Sequence, residues 1–197
     1  MTIVLNGWEV QDTRPPFTDA EFFDFCAQNP NLHIEQDALG NIIIMPPVSL
    51  NSGMFESEMQ IELGTWNRKT RKGKTFSPST LFILPNGEKR MPDAAWIALE
   101  KINALPEAER EHFAHIVPDF VAEIRSPSDS LTGLQTKMRD SWIANGVRLA
   151  WLIDPEAGCA WVYRADGSTD MVEGFDQVLS GEDVLEGFEL PLRLFEA

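Results

Sequence analysis

The chain of 197 residues is poor in the features that mark membrane, disulfide-rich or secreted proteins. Its only cysteines, Cys26 and Cys159, lie far apart and outside any C-x-x-C spacing, so we expect reduced structural thiols. No apolar run approaches the length of a membrane span, and the start MTIVLNGWEV lacks the basic and apolar segments of a signal peptide. These absences predict a cytoplasmic protein with no membrane partner.

Motifs for several common chemistries are also missing. The three histidines, His33, His112 and His115, do not show the order of a catalytic triad. His112 and His115 are three positions apart, but no other metal-type cluster in the sequence supports a zinc site. No Walker or Rossmann glycine pattern occurs. Nucleotide-cofactor and triad enzymes are therefore disfavoured.

Basic residues are scarce, with 16 Lys and Arg against 31 Asp and Glu and a net charge of −15. This balance opposes non-specific attraction to nucleic acid, because phosphate binding is driven by Lys and Arg that displace counterions. One run, NRKTRKGK, gathers Arg68, Lys69, Arg71, Lys72 and Lys74. We interpret it first as cations that complement the end of a predicted helix, with a local nucleic-acid contact as the alternative.

Hydrophobic periodicity and turn residues predict helices and strands in alternation. A first helix begins after Thr18 and stops before Pro30, and a hairpin turns between Asp37 and Asn41. A second helix runs from Ser52 to about Thr70. The runs KTFSPSTLFILPNGE and KRMPDAAWIALE then predict two adjacent antiparallel strands.

A strand from Val117 to about Arg125 precedes a third helix, which ends at Gly146, and two further strands follow. A helix that crosses between two strands normally joins parallel neighbours. The order therefore predicts an α/β fold with a mixed central β-sheet flanked by helices, plus an additional N-terminal helix and β-hairpin.

An acid within an apolar strand points to a site. Glu123 lies inside PDFVAEIRSPSD, where a carboxylate is costly unless it is paired, hydrogen-bonded or bound to a metal. Asp119 shares its face but lies about 13 Å away along the strand. Asp93 heads the strand PDAAWIALE, and a cross-strand partner would lie about 5 Å from Glu123. The two acids could then hold a hard cation.

Asp93 and Glu123, in this order, resemble the acidic pair of the PD-(D/E)XK nuclease superfamily. More narrowly, the segments RMPDAAWI, VPDFVAEIRSPSDSLTGLQTKM, NGVRLAWLIDPE and VLEGFELPL resemble a bacterial family of restriction-endonuclease-like proteins. The likeness runs from about Leu39 to Leu192. It implies one restriction-endonuclease-like domain over 1–197, with an N-terminal extension of about 1–38 and a nuclease-like core of about 39–192.

The resemblance implies a Mg²⁺ or Mn²⁺ ion bound by Asp93, Glu123 and the backbone carbonyl of Ile124. The superfamily pattern has Lys two residues after the acid, whereas this chain has Arg125. Arginine can stabilise an anion electrostatically but cannot accept a proton from water. We expect Lys137 on the third helix to supply the relocated amine.

Weaker candidates stand beside this set. Gln135 borders the same apolar stripe as Lys137, and superfamily enzymes often add an acid from the helix before the core strands. Glu58 is preferred slightly over Glu62 for that role, although both suit a solvent-facing helix surface.

Each main residue also has a structural interpretation. Asp93 could cap the entry of its strand after a proline, and Lys137 could extend to solvent from the border of the apolar stripe. Glu123 could form an ion pair with Arg125 or Lys137.

The function implied is a metal-dependent endonuclease that hydrolyses phosphodiester bonds of nucleic acid, with DNA as the favoured substrate. The alternative is a catalytically inactive nuclease-like protein-interaction module, which the high acidity and the displaced lysine favour. A homodimer is also expected from the resemblance, because small nuclease cores that cut both strands are often doubled.

Overall fold

The computed structural model describes residues 2–5, 8–11 and 15–196; the remaining positions of the predicted 1–197 domain lie outside the described residues. The strands are β1 (Thr2–Leu5), β2 (Trp8–Gln11), β3 (His33–Gln36), β4 (Ile42–Met45), β5 (Gly73–Phe76), β6 (Phe82–Ile83), β7 (Lys89–Arg90), β8 (Ala94–Ala98), β9 (Phe120–Ile124), β10 (Leu149–Asp154), β11 (Cys159–Arg164), β12 (Thr169–Glu173), β13 (Val178–Ser180) and β14 (Glu189–Pro191). The α-helices are α1 (Asp19–Gln28), α2 (Leu50–Thr70), α3 (Leu99–Ala104), α4 (Glu107–Arg110) and α5 (Leu131–Thr136). Helix α5 continues as a π-helix (Lys137–Trp142) and a 3-10 turn (Ile143–Asn145), and a second 3-10 turn spans Leu192–Phe195. None of the helices in the described ranges is long and apolar enough to cross a bilayer.

The chain divides into two compact units, each built from separated segments. The first comprises Met1–Pro47, Leu81–Met91 and Leu105–Ile116. The second comprises Val48–Thr80, Pro92–Ala104 and Val117–Ala197.

The first unit contains a sheet with the strand order β2-β1-β4-β3-β7-β6. The predicted hairpin is confirmed as the antiparallel pair β3 and β4, and the Asp37 carboxylate closes its turn by accepting the Leu39 and Asn41 N–H groups. The predicted N-terminal helix is also confirmed. Thr18 caps α1 in a capping box, in which its hydroxyl accepts the Glu21 N–H and the Glu21 carboxylate accepts the Thr18 N–H.

The second unit contains the larger mixed sheet, with the order β12-β11-β10-β9-β8-β5. Strands β9 and β10 are parallel and are joined through α5, as expected for a helical crossover, whereas the other pairs are antiparallel. One face packs on the buried stripe of α2, whose members are Phe55, Met59, Leu63 and Trp66. The fold is therefore the predicted mixed α/β class with a central sheet flanked by helices.

The two runs between 74 and 100 pair in antiparallel fashion, as predicted, but neither run forms a single strand. Each run breaks into two short strands, so that β6 pairs with β7 while β5 pairs with β8. Pro78 and Pro92 lie at the breaks, because proline has no N–H to donate to a ladder. Gly73 permits the β5–β8 pairing, since a Cβ there would lie 2.2 Å from the Ile97 carbonyl oxygen.

The predicted third helix is present, but it is not a regular α-helix throughout. Its middle turn, Lys137–Trp142, is a π-helix, in which hydrogen bonds close between residues five apart. The predicted stop at Gly146 is confirmed, because its φ of 103° lies in the left-handed region that glycine adopts without strain.

Candidate active site

Strand pairing brings the two predicted acids together. Strands β8 and β9 are antiparallel neighbours, with Ala94 opposite Ala122. The same register carried one residue further places Asp93 opposite Glu123. Directly opposed residues share one face of a sheet, with Cβ atoms about 5 Å apart. The predicted adjacency of the two strands is thus confirmed.

The Asp93 group is fixed by hydrogen bonds at both its side chain and its backbone. Its Oδ2 accepts the Ile124 N–H at 2.6 Å. Its backbone carbonyl accepts the Gln60 Nε2–H at 2.8 Å, and the same amide donates to the Phe76 carbonyl at 3.0 Å. Gln60 therefore supplies the hydrogen bonds that hold the head of β8 to α2 and to the end of β5.

The Asp93 carboxyl has a strongly perturbed acidity. Burial raises its pKa well above the ordinary value, and the negative charges of Glu123 and Glu56 raise it further. The Ile124 N–H and the Lys137 ammonium act in the opposite direction. Asp93 therefore has a strong tendency to keep its proton until a positive charge arrives.

Glu123 is 4 % exposed and has two cationic or polar donors on one oxygen. Its Oε1 lies 2.9 Å from the Lys137 Nζ and accepts the Trp142 indole N–H at 2.8 Å. The Lys137 ammonium also lies 5.8 Å from the centroid of the Trp142 ring, within cation–π range. The buried acid of β9 is thus held by the helix that follows it.

The π-helix explains why Lys137 and Trp142 meet at one carboxylate. On an α-helix of 3.6 residues per turn, residues five apart point to different sides. In the π-helix the hydrogen-bonding interval is five, so the first and last residues of Lys137–Trp142 stand on the same side. A local change of helix type therefore builds half of the site.

The other predicted residues occupy varied places. The Arg125 Nη1 pairs with the Asp154 Oδ2 at 2.7 Å rather than with Glu123, so an electrostatic role for Arg125 stays a prediction. Gln135 and Glu58 are half-buried on their helices. The Ile124 backbone contacts Asp93 through its N–H, and the role of its carbonyl as a ligand stays a prediction.

Two site residues on α2 escape the sequence-based prediction. Glu56 is the helix acid whose charge acts on Asp93, and Gln60 lies one turn later on the same side. Their spacing of four places them on one face of the helix and could have indicated a pair. Glu58 and Glu62 have the same spacing, so the sequence did not distinguish the two pairs. Only the packing of α2 on the sheet distinguishes the two pairs.

The donor set fits a hard divalent cation. Within the described ranges, no group of three or more His, Cys, Asp or Glu side chains is arranged to hold a metal. A pair of carboxylates is nevertheless the kind of ligand set that Mg²⁺ commonly uses, since it is bound through one or two carboxylates while water and phosphate complete its shell. The pKa of Asp93 is raised first by burial and then by the negative charges of Glu123 and Glu56.

Comparison with protein families gives a match over residues 19–193 to the Uma2 family, described as "Putative restriction endonuclease". The chain belongs to the Uma2 family. The family resemblance predicted from the sequence is thereby confirmed.

A solved structure shares the fold of this Uma2 chain. It is a crystal structure of a "putative nuclease belonging to DUF820" from Anabaena variabilis ATCC 29413, with a TM-score of 0.75 and 22% sequence identity. The match covers 91% of this chain and 97% of that one. No curated protein matches the sequence.

Proposed function

We propose that this Uma2 protein is a Mg²⁺- or Mn²⁺-dependent endonuclease that hydrolyses phosphodiester bonds, with DNA as its substrate. Membership of the family supports nuclease activity at the general level. The metal requirement and the DNA substrate are the finer parts of the proposal.

The acidic pair of buried Glu123 and half-buried Asp93, beside an amine, carries the proposal. Two carboxylates on one sheet face, one with a raised pKa, are costly to fold unless they serve a ligand. The Lys137 ammonium, 2.9 Å from the Glu123 Oε1, brings one positive charge to two acids and leaves room for a further cation's charge. Such clusters of perturbed groups concentrate at functional sites.

Asp93, Glu123 and the Ile124 carbonyl would hold the metal ion. When bound, the ion supplies Lewis-acid activation of the phosphate and lowers the pKa of a coordinated water. Burial and the negative charges of Glu123 and Glu56 raise the pKa of Asp93, and a cation held there would favour its ionised form.

The side chains of this chain provide the remaining functions. A water oxygen forms a new bond to phosphorus and releases a proton to solvent, while a P–O ester bond breaks and the leaving oxygen takes a proton from solvent. The Lys137 ammonium steadies the attacking water or the negative charge that develops on the phosphate. Trp142 keeps the Glu123 carboxylate oriented through its indole N–H, and Gln60 keeps the Asp93 backbone in register.

Calorimetric titration of Mn²⁺ tests the proposal without knowledge of the substrate. Wild-type protein should bind Mn²⁺ saturably, and Glu123→Ala should not. Asp183→Ala, which removes an exposed acid paired with Arg148, is the matched control and should bind like the wild type. Cleavage of plasmid DNA, oligonucleotides and RNA with Mg²⁺ or Mn²⁺ then identifies the substrate.

Equal binding by the wild type and Glu123→Ala, or none by either, would refute the metal site. The Glu123–Lys137 pair would then be a structural ion pair, as expected of an inactive interaction module. Light scattering of the same preparations tests the proposed homodimer.

A further inference from the structure

The basic run at the end of α2 is the densest group of cations in the chain, and four of its five members form no ion pair with a described residue. Arg110, Arg139 and Arg193 likewise have no ion pair among the described residues, but each stands singly. Many Lys and Arg side chains elsewhere pair with a carboxylate; they include Lys89, Arg90, Lys101, Arg125, Lys137, Arg148 and Arg164. Within the run, Lys72 pairs with Glu186. None of the ion pairs among the described residues involves the other four members, Arg68, Lys69, Arg71 and Lys74, which we call the basic cluster.

All four side chains of the basic cluster are exposed. Four unpaired cations within seven positions repel one another, and they stand out in a chain with a net charge of −15. The helix dipole accounts for Arg68 and Lys69, which lie in the last turn of α2. It does not account for Lys74, which lies beyond the helix on β5, because the dipole effect fades within one turn.

Sheet register places Lys74 on the same face as the acidic pair. Lys74 lies opposite Ile97, and directly opposed residues share a face. Residues two apart on a strand also share a face, so Ile97, Ala95 and Asp93 lie on one side of β8. Lys74 therefore projects from the face that carries Asp93 and Glu123.

The separation suits a nucleic-acid backbone. The four residue steps from Asp93 to Ile97 cover about 13 Å along the strand at roughly 3.3 Å per residue. One strand of B-DNA advances about 3.4 Å per phosphate along the axis, so Lys74 stands about four phosphates from the acids. Strand β5 is the edge of its sheet, so no further strand lies between the cluster and a ligand on that side.

We propose that the basic cluster is a phosphate-binding surface, which holds the DNA backbone next to the acidic pair, with Lys74 and Arg71 as its inner contacts. This inference rests on the proposed function and adds the place where the substrate is held. An anionic membrane is the less suitable partner, because the segment from Arg68 to Lys74 has no exposed apolar side chain to insert into a bilayer.

The salt dependence of DNA binding tests this surface. Binding of a fluorescein-labelled 30-base-pair duplex is followed by anisotropy from 50 to 200 mM KCl, in EDTA so that the duplex stays intact. The test variant combines Arg71→Asn with Lys74→Gln; asparagine is used because Arg71 has a φ of 55°, which asparagine tolerates. The control combines Arg110→Gln with Arg193→Gln, two exposed arginines outside the cluster.

We expect the slope of log K against log salt to fall by about 1 for each phosphate contact removed, hence by about 2 in the test variant. The control should keep the wild-type slope. Equal slopes in wild type and test variant, the same decrease in the control, or no duplex binding by the wild type would each overturn the inference. Binding to phosphatidylserine vesicles that is lost only in the test variant, without duplex binding, would assign the cluster to membranes and likewise overturn it.

The outcome is separable from that of the proposed function. Binding in EDTA requires neither metal nor cleavage, so a wild type that binds through the cluster but never cleaves contradicts only the nuclease. A wild type that cleaves DNA while the test variant binds and cleaves equally well contradicts only the surface.

Discussion

Replacing Lys137 by methionine separates a metal site from a structural ion pair. The substitution keeps the length of the side chain and removes the ammonium that lies 2.9 Å from the Glu123 Oε1. The side chains of Lys137 and Glu123 are only 12% and 6% exposed, so solvent cannot replace the lost charge. Two acids then face each other with one compensating donor fewer.

The size of the effect follows from this burial. Removing one partner of a buried ion pair costs about 3–5 kcal/mol. The Trp142 indole still donates to the Glu123 Oε1, so we expect the lower end, about 3 kcal/mol of unfolding free energy. For a chain of this size that corresponds to a decrease in Tm of about 6–12 °C.

Lys101→Met is the matched control. Lys101 pairs with the buried Asp119 at 3.2 Å, but Lys101 is 38% exposed and Asp119 keeps the Ala98 N–H as a second donor. Solvent screening limits such a pair to about 1 kcal/mol or less. The control therefore removes a lysine from a buried acid away from the site.

Thermal unfolding at pH 7.5, with EDTA or with Mn²⁺, reads out the difference. The ammonium competes with a cation for the same carboxylates, so Mn²⁺ should narrow the Tm gap between Lys137→Met and the wild type. Both proteins gain stability from Mn²⁺, and at saturating Mn²⁺ the gap narrows by about 1.4 kcal/mol for each tenfold by which Lys137→Met binds Mn²⁺ more tightly than the wild type. The gap for Lys101→Met should not change, and cleavage should be lost only in Lys137→Met. A gap for Lys137→Met that Mn²⁺ leaves unchanged would refute the assignment of a cation site to these acids.

Three further predictions concern neighbours of Glu123. Asp93→Asn should raise the unfolding free energy of the metal-free protein at pH 8. Because the folded pKa of Asp93 is raised, the wild type loses stability as pH rises from about 3.9 to that folded value, and asparagine does not. Urea titrations at several pH values should show that the stability advantage of Asp93→Asn over the wild type vanishes at about pH 4. Glu56→Gln should lower the cleavage rate at saturating Mg²⁺ by tenfold or more, about 1.4 kcal/mol of barrier, whereas Glu58→Gln should leave it near wild type; equal effects would contradict the choice of Glu56. Trp142→Phe removes the hydrogen bond from the indole N–H to the Glu123 carboxylate, and a bond to a charged group is worth about 1.5–3 kcal/mol. The variant should bind Mn²⁺ more weakly in calorimetry, while its circular dichroism spectrum shows that the fold persists. An unchanged Kd for Mn²⁺ would argue against a positioning role of Trp142.

Much of the fold follows from local patterns. The Thr18 cap, the turn from Asp37 to Asn41, the stripe of α2 and the stop at Gly146 each depend on residues within one or two turns of chain. The strand breaks at Pro78 and Pro92 have a local cause as well, although the prediction of one strand for each run did not include them. What local patterns could not supply was the partner of each short strand, because β5 pairs with β8 whereas β6 pairs with β7.

The sequence by itself determined the central candidates for a site, which are Asp93, Glu123 and Lys137. An acid inside an apolar strand, a second acid after a proline and a lysine on the next helix are visible without coordinates, since burying a charge needs a reason wherever it occurs. Composition also singled out the basic run at the end of α2.

Only the tertiary structure decided which of these groups meet. Asp93 and Glu123 are 30 positions apart, and the register of β8 on β9 sets them opposite each other. A helical wheel assumes one angle per residue, so it could not place Trp142 with Lys137 on a π-helix. Pairing register, helix type and the partners of exposed charges depend on energies summed over contacts between distant segments, and those contacts exist only once the chain has folded.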